Sequence, residues 1–147
     1  MDYQPQYLVA EKLLRDHEGE VKNARGRHIA YKCPAGKITV GVGRNLEDLG
    51  LSDDEVSYLL KNDIKRVEQE LKSNFSFYDR LNASRKAVLI DMCFNIGLPK
   101  ILLFENMIQA LEGGDFDRAA DEMLDSRWAK QVGRRADRLS AIMRSES

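Results

Sequence analysis

The sequence predicts an α+β protein in which a small β-hairpin lobe near the N-terminus is joined by one long helix to a mainly α-helical C-terminal lobe. Three observations predict this. Glycine-punctuated runs of alternating and β-branched residues are confined to positions 20–46. Ser52 followed by Glu55 is a capping-box signature, and it opens a helical pattern that runs to about Leu71. Beyond that point helical periodicity resumes after each break almost to the C-terminus.

Taken in order, residues from about Pro5 to His17 read as a short helix with Leu8, Val9, Leu13 and Leu14 as its apolar stripe, and Glu18-Gly19 as its stop. His28-Ile29-Ala30-Tyr31 and Lys37-Ile38-Thr39-Val40-Gly41-Val42 read as strands around a Pro-Ala-Gly turn. Asn82 or Ser84 caps a helix whose Ala87, Val88, Leu89, Ile90, Met92, Cys93 and Phe94 are apolar nearly all round, as expected of a central buried helix. Gly97 and Pro99 stop it. Helices are expected at about 101–112, 115–124 and 134–144, divided by Gly113-Gly114 and by the segment around Trp128 and Gly133. With only three prolines and no low-complexity linker, the 147 residues form a single domain: about 1–50 the N-terminal lobe, 51–73 the connecting helix, 74–147 the helical lobe.

Bulk properties narrow the function classes. A hydrophobic content of 43% builds a core, 32% charged residues mark a soluble chain, and a formal net charge of −1 gives no general attraction to nucleic acid. Charge is uneven: Glu47–Glu55 is purely acidic, whereas Arg127–Arg144 sets six cations against Asp137 alone. Cys33 and Cys93 lack metal-site spacing and form no disulfide framework. The N-terminus has no basic segment followed by an apolar one, and no apolar run nears membrane-spanning length. The expectation is a protein made in the cytoplasm without a signal peptide, with no stable membrane insertion and no metal.

The chemistry-bearing residues gather in the sheet lobe. Glu18 stands where a helix gives way to the sheet, a place from which a side chain can point into a cleft. Cys33 and Thr39 lie on adjacent parts of the expected hairpin, and Thr39, Gly41 and Gly43 follow in the pattern T-x-G-x-G, whose missing side chains admit close approach to the backbone. Glycoside hydrolysis needs an acid to protonate the leaving oxygen and a second group to activate water or attack the sugar. A glutamate in a cleft wall is suited to the first task by partial burial. A thiolate at position 33 can act as nucleophile or base if neighbours such as Lys32 or Lys37 favour it, and a neutral thiol can still orient water beside Thr39.

In this order the residues resemble the glycoside hydrolase family that contains the T-even phage lysozymes (phage-type lysozymes, or endolysins). That family has a glutamate after the first helix, an aspartate or occasionally a cysteine in the hairpin, a threonine six positions on, and then glycines; here these are Glu18, Cys33 and Thr39. The resemblance extends through Arg85–Gly97, Phe104–Met107 with Ala110-Leu111, and Ser126–Ala136, covering about residues 7–144. It implies a lysozyme-like fold. It also implies cleavage of the β-1,4 bond between N-acetylmuramic acid and N-acetylglucosamine in peptidoglycan during host cell lysis, without a cofactor, by a monomer that reaches the wall through a holin-type pore. Glu18 takes the general-acid position, Cys33 and Thr39 the second catalytic group and its water, and Gly43 and Phe94 saccharide contacts. Arg135 takes the place of an arginine facing the glutamate. Asn45 and Glu122 depart from the leucine and asparagine common at their positions, and Asn23–Arg27 lengthens the loop between Glu18 and Cys33.

Other candidates rank lower. His17 and Glu18, adjacent on a helix, point in different directions, and His28 has no metal partner at a useful spacing. Asp16 and Glu20 flank Glu18 as alternative second carboxylates, Glu20 first. Trp128, Phe75, Phe77 and Tyr78 are expected in the core. Two other activities fit the same residues: a lytic transglycosylase using Glu18 alone, and a non-catalytic glycan-binding relative.

Overall fold

The computed structural model describes residues 3–145. The chain divides into two compact units, Met1–Ser57 and Tyr58–Ser147.

The first unit begins with α1, Pro5–Glu18. Pro5 suits the first helical turn because the missing amide hydrogen has no helical acceptor there, and Gly19, at φ 71°, ends the helix immediately after Glu18. None of the residues of α1 is buried; Leu8, Val9, Leu13 and Leu14 are all exposed. The helix is braced by polar contacts instead, with the Tyr3 hydroxyl donating to Glu11 at 2.6 Å and Arg15 paired to Glu11 one turn on.

The sheet has three short antiparallel strands rather than two long ones: β1 Tyr31–Lys32, β2 Ile38–Val40 and β3 Arg44–Asn45, in that order. Tyr31 faces Thr39, which faces Asn45 in turn. Of the strand anticipated from His28, only Tyr31 joins the sheet, while His28 makes a single bridge to Lys22. The second run stops at Val40 because Gly41 and Gly43 adopt φ of 64° and 69° and turn the chain into β3. The β1–β2 connection closes with Gly36 N–H on the Cys33 carbonyl and Cys33 N–H on the Lys37 carbonyl, a three-residue loop with glycine in the left-handed position.

α2, Asp53–Asn74, runs across the boundary between the units. Its capping box is formed as expected: Ser52 Oγ accepts from the Glu55 amide at 3.2 Å, and Glu55 accepts from the Ser52 amide at 2.8 Å. Glu55 also accepts from both terminal guanidinium nitrogens of Arg44, which in addition donates to the Gly50 carbonyl.

The second unit carries the main core. A 3₁₀ turn at Tyr78–Arg80 leads to α3, Ala83–Ile96, capped by Asn82, whose side chain accepts from the Arg85 amide. α3 buries one face only, through Arg85, Val88, Leu89, Met92 and Cys93; Ala87, Phe94 and Asn95 are exposed, so it is not enclosed on all sides. After Gly97, Pro99 sits in the first turn of α4, Leu98–Ile101, and opens a helix instead of merely ending one. α5 starts only at Glu105 and runs to Glu112. α6 is Phe116–Leu124 under an Asp115 cap. α7, Arg127–Val132, occupies what reads in sequence as a connection; Ser126 caps it by accepting from the Ala129 amide. α8 is Arg134–Arg144.

Met92, Met107, Met123 and Met143 are buried in this core with Leu71, Phe77, Tyr78, Leu89 and Ile101. Methionine fills irregular gaps between short helices because its unbranched chain adapts. Trp128 is buried as expected, its indole N–H donating to Asn95 at 2.8 Å and its ring edge-on to Phe104. Buried Arg85 holds the end of α8 by donating to the carbonyls of Met143 and Ser145, with its guanidinium 3.5 Å above the Phe116 ring. Both cysteines are free thiols.

The Arg44–Glu55 pair gives a measurable acid limb. The Arg44 guanidinium, followed by the Ser52 amide, holds the Glu55 carboxyl down at about 2, against an ordinary value of 4.5. A carboxyl lowered on folding contributes stability above its unfolded value and loses it as pH falls toward the folded one. The unfolding temperature of the Glu55→Gln variant is therefore expected to fall less steeply than that of wild type between about pH 4.5 and 2. Because the pair is about one-third exposed, added salt should narrow the difference. Parallel acid limbs at low salt would remove this role from the pair.

Candidate functional site

The structure groups the six candidate residues within each unit as follows. Glu18 is the last residue of α1, so its side chain projects where the helix stops and Gly19 turns the backbone away. It is exposed, without the partial burial expected of it. Its carboxyl lies against the β2–β3 turn: a Cβ added to Gly43 would meet Glu18 Oε2 at 3.2 Å and the carboxyl carbon at 3.5 Å. Gly43 thus leaves space for the glutamate itself, and its φ of 69° independently disfavours any other residue.

Cys33 and Thr39 meet at the β1–β2 hairpin. Thr39, in the central strand, is the one buried residue of the sheet, and its hydroxyl donates to the Lys37 carbonyl at 2.9 Å. The same hydroxyl also favours the Cys33 thiolate. A hydroxyl has a single proton, so it serves one acceptor at a time. The Cys33 thiol is lowered from its ordinary value, first by the Lys37 backbone N–H, with further help from the Ala35 amide and the Thr39 hydroxyl. Sequence reasoning looked to the ammonium groups of Lys32 and Lys37. The structure assigns the effect to hydrogen-bond donors of the tight turn instead, while the Lys37 ammonium faces Asp48 at 3.4 Å and Glu47 at 4.0 Å. Among the described residues no hydrogen bond joins Glu18 to Cys33 or Thr39.

Glu20, the fallback carboxylate, is committed elsewhere. Oε1 is paired with Arg15 at 3.3 Å and Oε2 with Lys22 at 3.0 Å. The added loop closes on the Asn23 side chain, whose Oδ1 accepts from the amides of Arg25 and Arg27. Sequence reasoning missed this ladder; the spacing of Arg15, Glu20 and Lys22 carries no helical or strand period.

In the second unit Phe94 and Arg135 line one surface recess of about 380 Å³, together with Leu60, Ile64, Ile90 and Asp91. Arg135 is not a free cation: Nε donates to the Asp91 carboxylate at 2.7 Å and Nη2 to its carbonyl at 3.3 Å. That grip fixes the guanidinium plane and, among the described residues, leaves Nη1 without a partner. Glu122 lines a different recess, of about 580 Å³, with Phe104 and Trp128. Among the described residues no group of three or more histidine, cysteine or acidic side chains is placed to hold a metal, and no helix is long and apolar enough to cross a membrane.

Two measurements test these local arrangements. Iodoacetamide should label Cys33 well before Cys93, which is buried and whose thiol burial pushes up. The pH midpoint for Cys33 labelling should lie below 9; equal rates for the two thiols would contradict the hairpin geometry. Gly43→Ala combines a positive φ with a close contact, so it is expected to destabilise by about 1–2 kcal/mol. It should also displace the Glu18 side chain, visible as a changed carboxyl carbon shift in NMR spectra; an unmoved Glu18 signal would mean that Gly43 does not set its position.

Comparison with known proteins gives the family. The family profile "Phage lysozyme" matches residues 22–146, a stretch that contains Cys33, Thr39, Gly43, Phe94 and Arg135 and begins after Glu18. The chain is 26% identical over 142 residues to "Probable T4-type lysozyme 1" of Dictyostelium discoideum, covering 77% of this chain and 84% of that protein. It is 22% identical to "Probable T4-type lysozyme 2" of the same organism, covering 76% and 83%. It is also 28% identical over 93 residues to the "Pre-baseplate central spike protein Gp5" of Enterobacteria phage T4, covering 61% of this chain but spanning only 16% of that protein. With a match over most of its length, and with the small three-stranded sheet followed by helices that a lysozyme-like α+β fold requires, the chain belongs to the phage lysozyme family.

Proposed function

We propose that the protein is a muramidase that hydrolyses the β-1,4 bond between N-acetylmuramic acid and N-acetylglucosamine in bacterial peptidoglycan, in the service of host cell lysis. Family membership supports lysozyme-type glycan cleavage. The observation that carries the site reading is the setting of Glu18, an exposed carboxyl at a helix end beside the bare backbone of Gly43. An acid that must deliver a proton to a bulky polymer needs that kind of access.

In this reading Glu18, protonated, donates to the glycosidic oxygen as the C1–O bond breaks. Positive charge develops on the sugar ring, and water adds at C1. Cys33 with Thr39 directs that water. The thiolate takes its proton, and the Lys37 and Ala35 amides that favour the thiolate keep this base available nearer neutral pH. The bond broken, the bond formed and the two protons then balance, and solvent resets Glu18 and Cys33. Gly43, Phe94 and Arg135 contact the saccharide. Phe94 offers an exposed ring for stacking on a sugar face, and Arg135, oriented by Asp91, offers Nη1 as a donor to sugar oxygens. The glycan strands are the partner, met by a monomer after passage through a holin-type pore.

End-group analysis of digested peptidoglycan tests this. Wild type should release reducing ends, Glu18→Gln should release essentially none while keeping its unfolding temperature, and Cys33→Asp should retain more activity than Cys33→Ser. Anhydromuramic ends would assign a lytic transglycosylase instead. Wall binding without new ends would assign a glycan-binding protein, and a Glu18→Gln variant near wild-type rate would remove Glu18 from the acid position.

A further inference from the structure

The residue after Glu18 is a glycine, and glycine is the least constrained hinge a chain can carry. A catalytic acid followed by such a hinge, at a helix end that lacks further intrahelical bonds, is liable to fray. The structure holds a brace across this point. Arg15, on the last turn of α1, reaches past Glu18 and pairs with Glu20 on the far side of Gly19. The other oxygen of Glu20 pairs with Lys22, and Lys22 is the residue that bridges to His28. The Ile29 amide donates to the Val21 carbonyl at 3.0 Å, so the segment leaving the hinge is held from the other side of the loop too. Behind Arg15 the ladder continues to Glu11 and to the Tyr3 hydroxyl.

From this we infer that Glu20 is a positioning residue for Glu18: its two carboxylate oxygens tie the C-terminal turn of α1 to the Lys22–His28 loop and so fix where the Glu18 side chain leaves the backbone. The inference rests on Glu18 being the general acid. Two features separate this brace from ordinary surface pairs, which contribute little. The Glu20 side chain is only 17% exposed, whereas Arg15 and Lys22 are 52% and 46% exposed. It is also held by two cations from opposite sides of the hinge, so the loss of either releases one wall of the same joint. Lys22, which anchors Glu20, leads directly into the Asn23–Arg27 turn, itself closed by the Asn23 side chain. Each Glu20 oxygen carries one cation, Arg15 on Oε1 and Lys22 on Oε2.

A positioning role predicts a particular kinetic pattern. Small losses of alignment reduce the rate of the chemical step without changing how substrate binds. Glu20→Gln and Arg15→Met should each lower kcat roughly three- to ten-fold with KM within about two-fold of wild type. The Arg15→Met/Glu20→Gln double variant should be no slower than the slower single variant, because both remove one bridge. Amide hydrogen exchange at Gly19–Val21 should quicken in all three. Arg15→Met attacks the brace from the helix side, and keeps the test open should Glu20→Gln fold poorly.

The opposing outcomes are distinct. Wild-type kcat in both single variants would overturn the inference. So would Glu20→Gln as inactive as Glu18→Gln beside an unaffected Arg15→Met, since Glu20 would then act on the substrate itself. A raised KM at constant kcat would also overturn it, as a substrate contact. A wild type that releases no reducing ends overturns the glycosidase reading, and this inference with it. An active wild type silenced by Glu18→Gln leaves the function standing, whatever Glu20 does.

Discussion

Space at position 43 governs the geometry of the N-terminal unit. Glu18 Oε2 sits 3.2 Å from where any side chain there would begin, so the carboxyl keeps its place against the β2–β3 turn because that turn presents bare backbone. The turn in turn requires φ near +69°, which glycine adopts at little cost. One residue therefore meets two unrelated demands: the positive φ strains any other residue, and an added Cβ would push the Glu18 carboxyl aside by a few tenths of an ångström. The same turn sets the register in which Val40 faces Arg44. Arg44 is then placed to grip Glu55 and tie the sheet to the start of α2. The position of a carboxylate and the capping of a helix are linked through a few residues of loop.

The C-terminal unit solves a different problem. Its helices after α3 are short, from four to eleven residues, and short helices are marginal alone. They are held by adaptable methionines in the core and by a few directed polar contacts at their ends. Arg85 is the strongest of these, a buried cation that satisfies carbonyls at the end of α8 while lying over Phe116. A charge buried without such partners would be costly; here its donors complete a helix terminus that would otherwise leave carbonyls open.

The sequence was most legible where a local rule acts alone. The Ser52–Glu55 box, the Asn82 cap and the glycine stop after Glu18 each depend on residues within one turn of each other, and each element begins or ends where those residues stand. α7 was hidden because Ser126 caps a helix only six residues long, too short for its apolar period to register. Pro99 read as a stop because proline ends and begins helices with equal readiness, and only the fold shows which. The strands were drawn too long since β-branched composition says nothing about where positive φ interrupts pairing. The six candidate site residues could be named from their order and spacing. Their partners could not: the Arg15–Glu20–Lys22 ladder and the Asp91 grip on Arg135 join residues without any periodic relation.

Cys33 shows why partners matter more than identity for chemistry. A lysine on either side of a cysteine invites an argument from charge, yet an exposed ammonium is screened, and this one faces carboxylates. Backbone amides in a three-residue hairpin loop are rigid, directed at short range, and fixed by the same bonds that close the turn. Hydrogen bonds of this kind favour an anion whatever the salt concentration. They also constrain what may replace the residue: an acceptor at position 33 inherits the amides, whereas an apolar side chain leaves them unsatisfied. On this argument a carboxylate and a thiolate are interchangeable there for one physical reason. The turn amides favour negative charge at position 33, while the Thr39 hydroxyl is held by the Lys37 carbonyl.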